Sequence, residues 1–220
     1  LARLPGNLPL RYPTLLLLAF VAIFVALGIA PTSREDWLLE NVLVFVAVGT
    51  LILTAGRYRF SRTAYTCFFV FLVLHEIGAH YTYSLVPYEN WIARGQGFTL
   101  HLLLGSERNA YDRVIHFAYG LLIVPPTVEL MSFLAPPRGW WRFVQAPALI
   151  LAGSAVYELV EWAAALAFGG DLGEAYLGTQ GDTWDAQKDM LCALAGAVLS
   201  QLVISTSTAR VRESRQHPLT

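Results

Sequence analysis

Six apolar runs, each close to 20 residues, divide this chain, and runs of that length have few folded fates. A helix rises about 1.5 Å per residue, so about 18 residues reach roughly 27 Å, near the thickness of a bilayer's hydrocarbon core. The runs cover about 13–30, 37–55, 63–85, 110–135, 144–168 and 186–205. Breakers mark their limits: Pro31 after the first, Gly56 after the second, Pro136-Pro137 after the fourth and Gly169-Gly170 after the fifth. Only 14% of residues are charged and 55% are hydrophobic, with mean hydropathy +0.50. Soluble domains carry about 25% charged residues. The pattern predicts an all-α polytopic membrane protein, a bundle of six transmembrane helices in one integral membrane domain over residues 1–220.

The first run follows Arg3 and Arg11 and ends Gly-Ile-Ala, which imitates a cleaved signal peptide. Its apolar core exceeds the usual length of about 7–15 residues, so a retained first helix is expected. Cys67 and Cys192 both sit inside apolar runs and form no CxxC pair, which suits packing and not a disulfide. Between the third and fourth runs lies a connection of about 24 residues with Trp91, Phe98, Leu100 and Leu102 to Leu104. It is too apolar for a free loop and predicts an interfacial or re-entrant helix. No internal repeat suggests an inverted-repeat transporter.

Four of the runs carry embedded acids and histidines: His75, Glu76 and His80; Asp112 and His116; Glu158 and Glu161; Asp182, Asp185 and Asp189. An ionisable residue at mid-bilayer costs about 2.5–3.5 kcal/mol on insertion scales. Ten of them need a compensating reason, such as a bound metal, shared protons or a watery cavity. Lys and Arg counts place these residues at one depth. Arg3, Arg11, Arg57, Arg59, Arg62, Arg138, Arg142, Arg210, Arg212 and Arg215 fall on one side, and Arg34, Arg94, Arg108, Arg113 and Lys188 on the other. The richer side is cytoplasmic by the positive-inside rule, which puts both termini in the cytoplasm. All acids except Glu129 and Glu213 then lie in the outer half, and the site faces the extracytoplasmic side.

The spacings suggest roles. Glu76 and His80 are four apart, on one helix face, with His75 about a quarter turn away. The pair suits co-ligands of a metal, with His75 as a supporting or second-ion ligand; a hydrogen-bonded polar pair is the alternative. Asp112 and His116 repeat the one-turn spacing, and imidazole with carboxylate suits zinc, iron or manganese. Asp112 could instead orient His116, and Arg113 could neutralise the acid or hold an anionic headgroup. Glu158 and Glu161 are three apart, close enough to share a proton or bridge a metal. Asp182, Asp185 and Asp189 fall on one face at i, i+3 and i+7. Capping explains Asp182, leaving Asp185 and Asp189 for the site. His101, Glu129 and His217 carry weak signals; Glu129, after Pro125-Pro126, is expected to reach water at a kink.

Together the strings HEIGAHYTYSLVPY, RNAYDRVIHFAYGLL, YELVEW and YLGTQGDTWDAQKDM resemble the YjdF family of bacterial inner-membrane proteins over most of residues 63–200. More distantly, Asp112-Arg113 with His116-Phe117, the glutamate of the fifth run and the aspartates of the sixth are similar to the VanZ-like pattern. The His75, Glu76, His80 group is an addition to that pattern. The resemblance implies a fold and site positions, not a reaction.

The expected function is that of a metal-dependent membrane enzyme, most simply a hydrolase acting on a lipid or lipid-linked substrate at the outer leaflet. His75, Glu76, His80, Asp112, His116, Asp185 and Asp189 are the candidate ligands of a divalent metal, zinc first, with iron or manganese as alternatives. Glu158 and Glu161 are the candidate catalytic acids and bases. The lipid bilayer of the bacterial inner membrane is the expected partner, with no nucleic acid. A proton- or ion-coupled transporter and a non-catalytic metal-binding envelope protein are the alternative readings.

Overall fold

A computed structural model describes residues 11–91 and 108–216. Its principal helices are α1 Arg11–Leu27, α2 Arg34–Thr54, α3 Arg62–His80, α4 Tyr111–Leu134, α5 Trp141–Phe168, α6 Gly170–Leu177 and α7 Asp185–Gln216, with no strand among the described residues. α2, α3, α4, α5 and the stretch Asp185–Ser207 of α7 are long and apolar enough to cross a membrane, and α1, with 17 residues, is shorter. The surface confirms the solvent. Leu53 is 87% exposed and Leu166 68%, whereas Asp36, Glu76 and Asp189 are buried. Apolar side chains outside and carboxylates inside invert the order of a soluble protein. The molecule is a polytopic helical membrane protein.

Helices lie in each of the six expected segments, five of them long and apolar enough to cross a membrane, and their details differ locally from the expectation. The third span ends at His80 and not at 85, because Thr82 and Tyr83 take φ of 55° and 40°. The Tyr83 N–H closes back onto the Gly78 carbonyl at 2.8 Å. Its ring lies where a Gly78 Cβ would stand, 2.6 Å from the Tyr83 Cζ, so glycine permits the turn. Asp182 precedes α7 instead of lying on its face; its Oδ1 accepts the Trp184 N–H at 3.1 Å, as a capping acid does. Glu129, after Pro125-Pro126, is engaged by Ser61 at the start of α3. Half-buried, it accepts the Ser61 N–H at 2.9 Å and the Ser61 hydroxyl in a shorter contact, while Ser61 caps α3 through the Ala64 N–H. The expected interfacial helix and His101 fall largely on residues 92–107, and these, like Arg3 and His217, lie outside the described residues.

Spanning helices consecutive in the chain alternate in direction, so α1 and α3, and likewise α4 and α7, are parallel. α1 runs alongside α3, with Tyr12 Oη 2.6 Å from Thr66 Oγ1 near one end and the Thr32 N–H on the His80 carbonyl at 2.9 Å near the other. α4 runs against α3, joined by Ser61 and Glu129 at one end and by the Tyr111 hydroxyl on the Leu74 carbonyl, 2.8 Å, at the other. α4 and α7 are parallel and touch backbone to backbone. A Cβ on Gly120 would overlap the Ala193 carbonyl, and one on Gly196 would overlap the Phe117 carbonyl. Small residues let membrane helices approach this closely, where dispersion and not the hydrophobic effect supplies the attraction. Below the crossing, Val124, Ala146, Ile150, Ala193 and Ala197 form a tight apolar layer.

The crossing sets the site. One turn outward from Gly120 and Ala193 stand His116 and Asp189, and a second turn outward stand Asp112 and Asp185. We predict that Gly120→Leu destabilises the protein by at least about 1–3 kcal/mol, the usual cost of overpacking. Gly49, with open space around it, is the control, and Gly49→Leu should leave the detergent melting curve unchanged. Equal melting of the two variants would refute the close crossing.

Candidate functional site

α4, α5 and α7 bring four of the expected groups to one point. One ligand atom from each of Asp112, His116 and Asp189 lies within 4.8 Å of the others. His116 Nε2 is 3.6 Å from Asp112 Oδ1 and 3.5 Å from Glu158 Oε1. His116 and Asp189 are buried. The other imidazole nitrogen, Nδ1, is 3.3 Å from the buried Ser154 Oγ, which orients the ring.

These separations exceed those of hydrogen bonds, about 2.7–3.2 Å. Ligand atoms about 2.1 Å from a common divalent ion stand about 3.0–3.4 Å apart at octahedral to tetrahedral angles. Asp189 Oδ1 and Glu158 Oε1 are buried acceptors with no hydrogen-bond donor among the described residues. Acceptors facing one another across a gap, without donors, fit a cation. The set is one imidazole and carboxylates, harder than a histidine-rich one.

Above this point sits a rim of ion pairs. Arg108 holds the Thr179 and Gly178 carbonyls at 2.9 and 3.1 Å, pairs closely with Asp185, and lies 3.8 Å from Asp112. Arg113 pairs closely with Asp182, reaches Asp185 at 3.5 Å and places Nε 3.9 Å from Asp189. Lys188 joins Asp182 at 2.6 Å. Asp185, expected as a metal ligand, is therefore engaged by two guanidinium groups. The rim ties the 178–182 turn to the start of α4, over the site.

The α3 histidines go elsewhere. Tyr83 Oη lies 2.5 Å from His75 Nδ1, and His75 Nε2 lies 3.3 Å from the Glu40 carbonyl. The phenol, protonated at ordinary pH, donates to Nδ1, so Nε2–H points at the carbonyl and the ring keeps no lone pair for an ion. His80 Nδ1–H donates to the Leu27 carbonyl at 2.6 Å, pinning the end of α1. Glu76, fully buried, faces the Trp37 indole and the Asn41 amide. Spacing placed Glu76 and His80 on one face correctly, but that face meets α1 and α2 and not the cluster around His116. Glu161 keeps side-chain contact with Glu158 and also lines a small chamber with Glu40, Asp112, Tyr157 and Tyr176.

Two site residues were not expected. Asp36 and Glu40 of α2 are 1% and 4% exposed, and Glu40 Oε2 accepts the Tyr157 hydroxyl at 3.0 Å. Glu40 thus joins the α3 layer to the α5 wall of the site. Their i, i+4 spacing, running parallel to Trp37 and Asn41, was the available signal. A cavity of about 310 Å³ adjoins the cluster, with Asp112, His116 and Ser154 on its polar wall and Val44, Phe71 and Ile115 among its apolar lining.

Lys188, then the Trp184 N–H, with Arg113 adding to them, hold the Asp182 carboxyl well below the usual carboxylate range. A depressed folded value contributes stability above the unfolded pKa of about 3.9, lost as pH falls through the folded value. Asp182→Asn should therefore lower the melting temperature slightly at pH 7, with the difference from the parent fading on acidification below pH about 4. A difference that stays constant or grows on acidification would show that the pairing does not stabilise the rim.

Comparison with known proteins agrees with the motif resemblance. The chain is 36% identical over 190 residues to the protein named "Inner membrane protein YjdF" of Escherichia coli (strain K12), covering 86% of each chain. No solved structure matches. The family model described as "Predicted membrane protein (DUF2238)" matches residues 12–210. With its helices, its buried acids and this match in view, the chain belongs to that family.

Proposed function

We propose that this protein is a metal-dependent membrane enzyme, most simply a hydrolase acting on a lipid or lipid-linked substrate. The observation that carries the reading is the open cluster of Asp112, His116, Asp189 and Glu158, in which Asp189 Oδ1 and Glu158 Oε1 have no hydrogen-bond partner among the described residues. Asp112, His116 and Asp189 hold a divalent ion in this reading, and such an ion would supply a bound water of lowered pKa and a Lewis acid. One imidazole among carboxylates moves manganese and iron level with zinc. Glu158, 3.5 Å from His116 Nε2, is placed to take or give a proton, with Glu161 in contact with it. Ser154 positions His116.

The site belongs to the extracytoplasmic half of the inner membrane in this proposal. Arg57, Arg59, Arg62, Arg138 and Arg142 lie at the opposite end of the bundle, whereas Arg108, Arg113 and Lys188 at the site end are taken up by acids. A carrier needs a polar path to both faces. The layer of Val124, Ala146, Ile150, Ala193 and Ala197 closes the described bundle below the site, which favours an enzyme or binder over a carrier.

Elemental mass spectrometry of the purified protein should find about one divalent ion per chain, lost in Asp189→Asn and His116→Ala and retained in His80→Ala. Chelator should lower the melting temperature of the parent, and manganese or zinc should restore it, since an ion bound only to the folded state stabilises it by mass action. Protein that is metal-free as purified and indifferent to added ions would end the metalloenzyme reading. Metal binding with no turnover of any lipid in a vesicle hydrolysis screen would favour the non-catalytic binder.

Orientation has its own check. A cytoplasm-active reporter fused after Arg210 should be active, and one inserted near Gly173 should be silent. The reverse pattern would move the site to the cytoplasmic leaflet.

A further inference from the structure

The cavity beside His116 has a feature that its proximity to the cluster does not explain. Its inner wall is buried: Val44, Tyr83, Ile115, His116 and Ser154. Its outer lining includes Ala47 of α2 and Val156 and Val160 of α5, all exposed. α2 and α5 make little direct contact among the described residues. Flanking side chains on both helices, Val42 and Val46 on one and Val156 and Leu159 on the other, are 53–61% exposed at bilayer depth. The mouth thus faces hydrocarbon. A solute from water would have to cross the acyl region to enter, whereas a chain already in the bilayer meets the opening directly.

We propose that this cavity is a slot for one acyl chain of a bilayer lipid, entered sideways between α2 and α5. Its chemistry is graded to suit. The lining from the mouth inward is aliphatic and aromatic, through Ala47, Val160, Leu43 and Phe71. Polar atoms collect on the wall nearest the cluster, where the Ser154 hydroxyl, His116 and the Asp112 carboxylate stand. A chain lying along the aliphatic part brings the bond between tail and headgroup to that wall. Ligand pockets combine an apolar lining with few polar groups in this way. A substrate whose polar head alone must enter has no route there. The inference rests on the proposed reactive role of the Asp112, His116 and Asp189 cluster for its orientation, but not for chain binding.

The test uses full-length protein in phosphatidylethanolamine and phosphatidylglycerol vesicles doped with a phosphatidylethanolamine whose acyl chain bears a diazirine. After illumination, peptide mass spectrometry should find label on residues facing the cavity, such as Leu43, Phe71 or Ile115. Ala47→Trp and, separately, Val160→Trp should abolish that label by filling the slot. Leu53→Trp, on the open lipid face, should leave it intact. Melting curves and metal content of each variant show that it is folded. Label confined to lipid-facing residues in the parent, or cavity label that persists in folded Ala47→Trp and Val160→Trp, overturns the proposal. Cavity label in protein that binds no metal would sink the metalloenzyme reading alone and leave the slot standing.

Discussion

Close contact between α4 and α7 is the constraint on which the site depends. At Gly120 and Gly196 each backbone lies where the other helix's Cβ would be, a separation that larger residues forbid. In a bilayer this packing matters more than in water, because lipid tails are as apolar as the helix surfaces and give no hydrophobic drive to associate. The parallel crossing fixes register: His116 is carried to Asp189, and the next turn carries Asp112 to Asp185 and the arginine rim. A slip by one residue on either helix would rotate a carboxylate by about 100° and dissolve the cluster. Precision at the site is thus supplied from below, by residues with no chemistry of their own.

The rest of the bundle makes the molecule two-faced along its axis. Ser61 and Glu129 lock the arginine-rich end, and the apolar layer around Val124 separates it from the acids. At the site end, guanidinium groups from the start of α4 bind carboxylates and carbonyls of the turn before α7. These pairs are partly shielded from water and hold a turn over the cluster. Among the described residues a cavity reaches the cluster laterally, between α2 and α5.

Much of this was legible in the chain, and the misses share a cause. Apolar run length located the spanning helices, because backbone satisfaction in lipid leaves few alternatives. Embedded acids on α4, α5 and α7 pointed to the site because each costs too much to be incidental. Asp36 and Glu40 escaped notice because acids in the first turns of a helix have an ordinary explanation in the helix dipole, and Ser33 does cap α2. Glu76 and His80 were placed on a shared face correctly, but spacing within one helix says nothing about which neighbour that face meets. His75 illustrates the same limit: its partner, Tyr83, comes from a left-handed turn that Gly78 allows. Intrahelical geometry is readable from sequence; the identity of the helix across the gap is a property of the crossing.

The two polar layers solve the problem of buried carboxylates differently, and the contrast bears on what occupies each. Taking a carboxylate out of water costs several kcal/mol even after relaxation, unless a charge or donors replace the water. No Lys or Arg pairs with Asp36, Glu40 or Glu76 among the described residues. In that layer the Tyr157 hydroxyl donates to Glu40, while the carboxylate oxygens of Asp36 and Glu76 have no hydrogen-bond partner among the described residues. Around His116 the acids meet an imidazole and, towards the rim, guanidinium groups. Two carboxylate oxygens flank Nε2 at 3.5 and 3.6 Å, too far for hydrogen bonds, and Asp189 Oδ1 has no donor. A charge-assisted hydrogen bond would draw such partners in to about 2.7–2.9 Å. Groups held apart in this way leave room for a water, a shared proton or a cation. Among the described residues the α2 and α3 layer sets no cationic side chain against its acids, whereas the junction of α4, α5 and α7 sets an imidazole and the arginine rim beside them.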